Sequence, residues 1–217
     1  TKKIMEVLSE HPANKKRVEK GLKPANAVLL RGAGSMPYLP SIQDRFGIKG
    51  ACVAGIALIK GICRAAGFKV VEVPGATGGL NTNMKNKADW TLKLLKDYDM
   101  VFVNIKGADA ASHDHLVDKK VEFIERIDEE FFGTLLNGLN LEETCVLFTA
   151  DHVTSVEVGE HVGDPVPLML HAPEGIPDGV GHFSERSVAT GKLTGIKGSD
   201  AMKILMNYAG YAKKFGE

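Results

Sequence analysis

The chain has 217 residues, which is long enough to bury a sizeable hydrophobic core. Apolar residues make up 44% of the sequence and charged residues 25%, proportions that are ordinary for a globular protein and that argue against extensive disorder. Because 27 basic residues balance 27 acidic ones, the net charge gives no electrostatic argument for a nucleic acid or an anionic membrane as the main partner.

The first part of the sequence predicts short elements. Residues 3–20 carry few apolar positions among many charges, which predicts short surface helices interrupted at Pro12. The apolar run at 25–30 predicts a strand that leads into a tight loop at 31–34, and residues 42–46 predict a brief helix.

From residue 51 onward, predicted strands alternate with predicted helices. Strands are predicted at the start of 51–67 and, as buried strands, at 68–73, 99–106 and 144–149, with another at 166–170. Helices are predicted at the end of 51–67 and at 83–96, 115–136 and 199–215. This alternation is typical of an α/β fold with a mostly parallel sheet, in which functional groups gather beyond the carboxyl ends of the strands.

Two glycine-rich segments match phosphate-binding loops only in part. The segment 28–34 looks like a strand that enters a dinucleotide-binding fingerprint, but Pro37 occupies the position of the third glycine. The segment 74–79 could bind an anion with its backbone amides, although a plain turn is the more frequent structure for such a string. These segments therefore do not indicate a nucleotide-binding enzyme.

Aspartate and histidine residues follow two of the predicted strands and recur in the next loop. The five candidate metal ligands are Asp109, His113, Asp151, His152 and His161. The first two follow the strand at 99–106, and the next two follow the strand at 144–149. Carboxylate and neutral imidazole together suit Mn²⁺, Zn²⁺ or a related divalent ion. One Asp–His pair is usually just a polar surface feature, but three clusters in order predict a metal site.

The other histidines and the cysteines do not extend this pattern. Three histidines are expected to be solvated or bonded to a neighbouring carbonyl, namely His115, His171 and His182. The three cysteines are widely spaced and form no CxxC pair, which argues against a zinc ribbon and favours a reducing cytoplasm. The longest apolar run, residues 51–59, is too short to span a bilayer.

Three segments carry a family resemblance. Residues 109–114, 150–152 and 161–167 resemble the successive metal-binding segments of the alkaline-phosphatase superfamily. Within that superfamily the chain is most similar to the cofactor-independent (2,3-bisphosphoglycerate-independent) phosphoglycerate mutases of the archaeal type. Further matching segments extend the resemblance over nearly the whole chain, namely 25–26, 29–34, 58–61, 74–78 and 183–202.

The resemblance implies a fold and two divalent metal ions. The fold would be an alkaline-phosphatase-like α/β core at 46–217, preceded at 1–45 by the C-terminal end of an inserted phosphoglycerate-binding domain. The implied ligands are Asp109, His113 and His161 for one ion, and Asp151 and His152 for the other. Mn²⁺ would be the first choice, ahead of Zn²⁺, Co²⁺ and Mg²⁺.

The resemblance also implies roles for two basic residues. Lys60 stands where the family has a lysine near the phosphorylated nucleophile, and Arg31 resembles a phosphoglycerate-binding arginine. Both would direct positive charge at the transferring phosphoryl group.

The implied activity is that of a cytoplasmic, metal-dependent isomerase of glycolysis and gluconeogenesis, which interconverts 3-phosphoglycerate and 2-phosphoglycerate through a phosphoserine. The family's nucleophilic serine lies in an N-terminal segment that this sequence lacks. We therefore expect a C-terminal portion that needs the N-terminal half of the enzyme as a partner and is inactive alone. Three hydroxyls near the motifs are expected to be structural, namely Ser35, Ser112 and Thr154.

Two alternatives stay open at this point. The chain could belong to another phosphomutase or phosphatase of the same superfamily, because a shared fold does not determine the substrate. It could also be a non-catalytic metal-binding domain, which the lack of the serine would favour.

Overall fold

The computed structural model describes residues 1–30, 32–35 and 37–212. Arg31, which is predicted to bind the substrate, lies outside the described residues. The chain divides into two compact units, Thr1–Tyr38 and Leu39–Glu217. The functional division of the chain stays a prediction. It assigns 1–45 to the end of an inserted substrate-binding domain and 46–217 to a metal-binding core.

The first unit contains the short helices α1 (Lys2–Glu10) and α2 (Pro12–Glu19). Pro12 occupies the first turn of α2, where its fixed φ suits a helix and its missing N–H has no partner to lose. The prediction of short helices interrupted at Pro12 is confirmed.

The predicted strand at 25–30 is wrong, because these residues have no regular secondary structure. Ala25 donates its backbone N–H to Oδ1 of the buried Asn14 at 2.8 Å, so the segment is held by a side chain. Leu29 and Leu30 are 84% and 76% exposed. No strand lies among the described residues of this unit, so the backbone groups of 25–30 have no ladder to join.

The second unit contains seven strands and eight α-helices in its described residues. The strands are β1 (Gly50–Val53), β2 (Lys69–Val71), β3 (Met100–Val103), β4 (Val146–Thr149), β5 (Val153–Thr154), β6 (His161–Val162) and β7 (Leu168–His171). The helices are α3 (Ile42–Phe46), α4 (Ala57–Ala65), α5 (Met84–Leu94), α6 (Gly107–His113), α7 (Val117–Arg126), α8 (Gly133–Gly138), α9 (Glu185–Val188) and α10 (Gly198–Tyr208). None of the described helices is both long and apolar enough to cross a membrane.

A parallel sheet with the strand order β2-β1-β3 forms the centre of this unit. Cys52 of β1 lies opposite Val70 of β2 and Phe102 of β3. Because β1 is central, all four of its residues are buried, whereas β2 and β3 are edge strands and are less buried than predicted. The predicted α/β fold with a parallel sheet flanked by helices is confirmed.

The remaining strands form two antiparallel pairs. β4 pairs with β7 over four residues, and β5 pairs with β6 over two. The parallel arrangement therefore applies to the three central strands and not to every predicted strand. The short β5–β6 hairpin follows β4 directly and carries part of the candidate site.

Helices α5, α7 and α8 enclose the largest apolar cluster. Its buried members are Met84, Ala88, Phe123, Phe131 and Leu135. Full burial of a large apolar side chain contributes roughly 1.5–3 kcal/mol relative to an exposed one, so this cluster is a major source of the stability of the unit.

The predicted single helix at 115–136 is interrupted by a π-helical segment, Ile127–Phe132. The wider turn rotates the apolar stripe. As a result Phe131 is buried, whereas Val121 and Ile124 on the preceding α7 are each 51% exposed. α6 (Gly107–His113) also forms in a segment for which no helix is predicted.

The glycine-rich turn at 74–79 packs closely on the carboxyl end of β1. A Cβ atom at Gly55 would lie 2.2 Å from the carbonyl carbon of Thr77, so only glycine allows this approach. Arg126 donates from Nη1 to the carbonyl oxygen of Leu80 at 2.8 Å and holds the next part of the segment. The turn therefore has a structural explanation, as the sequence favoured.

Candidate metal centre

Helix α6 places two of the predicted ligands on one face. Asp109 lies in its first turn and His113 at its end, and residues four apart in a helix are neighbours. Nε2 of His113 lies 3.3 Å from Oδ1 of Asp109.

The β5–β6 hairpin brings the third ligand to this helix. His161 of β6 pairs with Thr154 of β5, and its Nε2 lies 3.5 Å from Oδ1 of Asp109. Thr154 donates its hydroxyl to the same carboxylate oxygen at 2.7 Å. Asp109, His113 and His161 each offer one ligand atom, and these atoms all lie within 4.8 Å of one another.

A backbone contact determines which nitrogen of His113 is free. Nδ1 of His113 lies 2.7 Å from the carbonyl oxygen of Gly159. Because a carbonyl oxygen only accepts hydrogen bonds, Nδ1 donates to it, which leaves Nε2 as the nitrogen that can bind a metal. This is the arrangement that a metal-binding histidine requires.

The carboxyl of Asp109 is held in its charged form. Burial opposes ionisation, but hydrogen bonds from the ammonium of Lys106 and the hydroxyl of Thr154 outweigh it and lower the pKa of Asp109 to about 2. The carboxylate is therefore ionised at neutral pH and available to a cation.

Asp151 and His152 lie beside this cluster in a more open arrangement. The ring of His152 stacks on that of His161, with 3.7 Å between centroids, and its Nδ1 lies 3.1 Å from Oγ1 of Thr154. The side chain of Asp151 is 82% exposed, and its Oδ2 lies 3.5 Å from Nε2 of His152. Within the described residues no third donor joins these two to form a group like that of Asp109.

Lys60 makes its ionic contact with Glu72 and not with one of these ligands. It lies on α4, and its ammonium donates to Oε2 of Glu72 at 2.6 Å. The hydrogen bond and the charge of Lys60 lower the pKa of Glu72. The role of Lys60 near a transferring phosphoryl group stays a prediction, as does that of Arg31.

Two supporting residues were not predicted for the site. Lys106 bonds Asp109 three residues along the chain, a spacing that would have suggested contact had α6 been predicted as a helix. Thr154 was expected to be structural, yet its hydroxyl contacts both Asp109 and His152. Ser112 is structural as expected, because it is buried and bonds the carbonyl of Ala108.

The donor set fits a divalent metal ion. One ionised carboxylate and two imidazoles converge, and the bond from Nδ1 of His113 to Gly159 leaves its Nε2 facing the cluster. Mixed oxygen and nitrogen ligands of this type suit Mn²⁺, Zn²⁺ and related ions.

Comparison with known proteins agrees with this chemistry. Residues 3–208 match the family model of the metalloenzyme superfamily. A 2,3-bisphosphoglycerate-independent phosphoglycerate mutase of Ignicoccus hospitalis is 53% identical over 97% of this chain, and one of Metallosphaera sedula is 50% identical over 100%. The chain spans about half the length of these curated relatives, 50% and 52%.

Solved structures give the same result. A protein of Pyrococcus horikoshii has a TM-score of 0.90 with 42% identity, covering 98% of this chain and 56% of its own. The cofactor-independent phosphoglycerate mutase of Thermoplasma acidophilum has a TM-score of 0.64 with 31% identity, covering 94% of this chain and 49% of its own. The predicted resemblance to cofactor-independent phosphoglycerate mutases is confirmed, and the chain belongs to the metalloenzyme superfamily.

Proposed function

We propose that this chain is the metal-binding part of a 2,3-bisphosphoglycerate-independent phosphoglycerate mutase, which interconverts 3-phosphoglycerate and 2-phosphoglycerate through a phosphoserine. The names of the relatives at about 50% identity support this activity, and the cluster of Asp109, His113 and His161 supports its dependence on metal. The nucleophilic serine would lie in the half of the relatives that this chain does not match. The enzyme would act in glycolysis and gluconeogenesis in the cytoplasm.

The proposal assigns five residues to two divalent ions, with Mn²⁺ as the first choice. Asp109, His113 and His161 would hold one ion, and Asp151 and His152 would supply part of the second site. When bound, such ions lower the pKa of a hydroxyl nucleophile and neutralise charge on a transferring phosphoryl group.

The side chains around these ligands would prepare the site. The hydroxyl of Thr154 donates to one oxygen of Asp109 and fixes its position. The ammonium of Lys106 donates to the other oxygen and helps to keep the carboxyl group ionised. We further propose that Lys60 leaves Glu72 to approach the phosphoryl group in the complete enzyme. Arg31 would bind phosphoglycerate within residues 1–45, the C-terminal end of an inserted substrate-binding domain.

The observation that carries the proposal is the converging cluster on α6 and β6. Its test is to titrate Mn²⁺ into the 217-residue chain and to assay the chain with 3-phosphoglycerate, first alone and then extended to the length of its relatives. We expect one tight Mn²⁺ site and no product from the chain alone, and 2-phosphoglycerate from the extended chain.

Three other outcomes would contradict this proposal. Hydrolysis of an aryl phosphate without mutase activity in the extended chain would favour a phosphatase of the superfamily. Tight metal binding without activity toward either substrate would favour a non-catalytic metal-binding domain. Turnover by the 217-residue chain would show that one of its own hydroxyls, such as Thr154, is the nucleophile.

A further inference from the structure

His115 has an unusual backbone conformation just after α6. Its φ is 57°, and it is the only residue other than glycine with a positive φ in the described part of the chain. The left-handed region disfavours residues with a Cβ, and such strain persists only where surrounding contacts enforce it. Contacts with the rest of the chain are therefore expected to hold His115 in this conformation.

The side chain of His115 contacts the hairpin that carries His161. Nδ1 of His115 lies 2.7 Å from the carbonyl oxygen of Val156, in the loop between β5 and β6. A Cβ atom at Gly159 of the same loop would lie 2.6 Å from Cε1 of His115, so the imidazole ring is packed against the Gly159 backbone. The left-handed turn at His115 thus directs its ring onto the loop.

The hairpin depends on contacts of this kind. β5 and β6 pair over only two residues each, and an isolated hairpin of this size is at best marginally stable in water. Two other side chains bond its backbone: His113 bonds Gly159, and Lys120 of α7 donates to the carbonyl oxygen of Thr154 at 2.9 Å. His113 is itself a candidate ligand, whereas His115 has no other role in the site.

We propose that His115 is a positioning residue for the candidate metal centre. By holding the β5–β6 loop against the turn between α6 and α7, it sets the position of His161 relative to Asp109 and His113. This inference rests on the proposed metal centre and deepens it, because it assigns part of the metal affinity to a residue that touches neither the ion nor its ligands.

The test uses two substitutions that both tolerate a left-handed backbone. His115→Gly relieves the strain and removes the ring, so we expect Mn²⁺ affinity to fall roughly 10-fold, as for other groups that orient ligands, while the melting temperature of the metal-free chain does not fall. His115→Asn retains an amide N–H close to the position of Nδ1, so it should keep most of the Mn²⁺ affinity.

His171→Ala is the matched control. Nε2 of His171 also bonds a backbone carbonyl, that of Leu141 at 2.9 Å, but it lies at the end of β7 that pairs with Val146, away from Asp151. Loss of this bond should leave Mn²⁺ affinity unchanged.

The outcomes separate this inference from the metal centre itself. If the unaltered chain binds no Mn²⁺, the proposed metal centre fails and the role of His115 fails with it. If the unaltered chain binds Mn²⁺ and His115→Gly binds it equally well, only the role of His115 is overturned. An equal loss in His115→Asn and His115→Gly, or a loss accompanied by a lower melting temperature, would also overturn it in favour of a general structural role.

Discussion

The apolar core is formed by α5, α7, α8 and the side chains they enclose. Its central residues are buried and have almost no contact with water. In the donor edge, formed by α6 and the β5–β6 hairpin, two of the three clustered ligands, His113 and His161, are exposed. Phe123 of the core is only 1% exposed, and its ring packs against Gly107 at the start of α6. The two regions are therefore neighbours, but each is stabilised by a different kind of interaction.

The core is stabilised by burial of apolar area, which is not directional, whereas the donor edge is arranged by hydrogen bonds of defined geometry. Loss of a core side chain should therefore affect the folding of the whole unit. Loss of a donor should change metal binding and leave folding almost unaffected. The following predictions test this separation from the largest expected effect to the smallest.

Phe123→Ala should have the largest effect on folding. Truncation of a buried phenylalanine leaves a cavity, so we expect the free energy of unfolding in urea to fall by about 3–5 kcal/mol. The control is Val121→Ala on the same helix, where the side chain is 51% exposed and the change should stay within about 0.5 kcal/mol. Equal effects of the two substitutions would contradict the assignment of Phe123 to the core.

Lys87 gives the core a specific dependence on pH. It is fully buried, its ammonium donates to the carbonyl oxygen of Asn104 at 2.7 Å, and desolvation lowers its pKa from 10.5 to about 8. Below pH 8 Lys87 is protonated in both the folded and the unfolded chain, so the folded chain bears the full desolvation cost of the buried ammonium. As the pH rises from 8 to 10.5, the folded chain loses this proton first, and stability should increase by roughly 3 kcal/mol.

The measurement compares urea unfolding of the unaltered chain with that of Lys87→Met across this pH range. Methionine cannot titrate, so the rise attributable to Lys87 should be missing from the variant. Parallel pH profiles for the two proteins would show that the ammonium is not desolvated.

His113→Ala should separate metal binding from folding. It removes a ligand whose side chain is 38% exposed, so we expect Mn²⁺ affinity to fall at least about 100-fold, or about 2.8 kcal/mol, with little change in the melting temperature of the metal-free chain. His182→Ala, which removes an exposed histidine outside the cluster, is the control. Unchanged Mn²⁺ affinity in His113→Ala would remove this residue from the metal centre.

The same division explains which features the sequence could predict. β1, β3 and α5 were predictable because runs of apolar residues and helical spacing reflect burial, which is also what fixes these elements in the fold. Helix α6 was not, because Gly107–His113 has no large apolar residue and so gives no periodic pattern. The run at 25–30 shows the opposite error, because an apolar pattern predicts a strand but cannot supply a partner.

Within the site, the types of the ligands were predictable but their supports were not. Aspartate and histidine after predicted strands indicate metal chemistry from residue type alone. The contacts of Thr154 and His115 depend on a hydroxyl or ring reaching a group 45 or 41 residues away in the chain. No local pattern records such a distance, so these contacts became visible only in three dimensions.

The smallest effect is expected at Asp151, and it tests whether the donor edge holds one ion or two in this chain. The carboxylate is 82% exposed, and among the residues that the structure describes it forms no cluster of three donors, its neighbour being His152. An ion held by two protein donors would remain largely hydrated and weakly bound.

Asp151→Ala should therefore leave the tight Mn²⁺ site unchanged in number and affinity. His152→Ala should weaken Mn²⁺ binding modestly, because the ring that stacks on His161 is lost. Calorimetric titration of both variants decides the matter. A loss of affinity in Asp151→Ala as large as that in His113→Ala would mean that Asp151 binds the same ion as Asp109, and that the two sites are not separate.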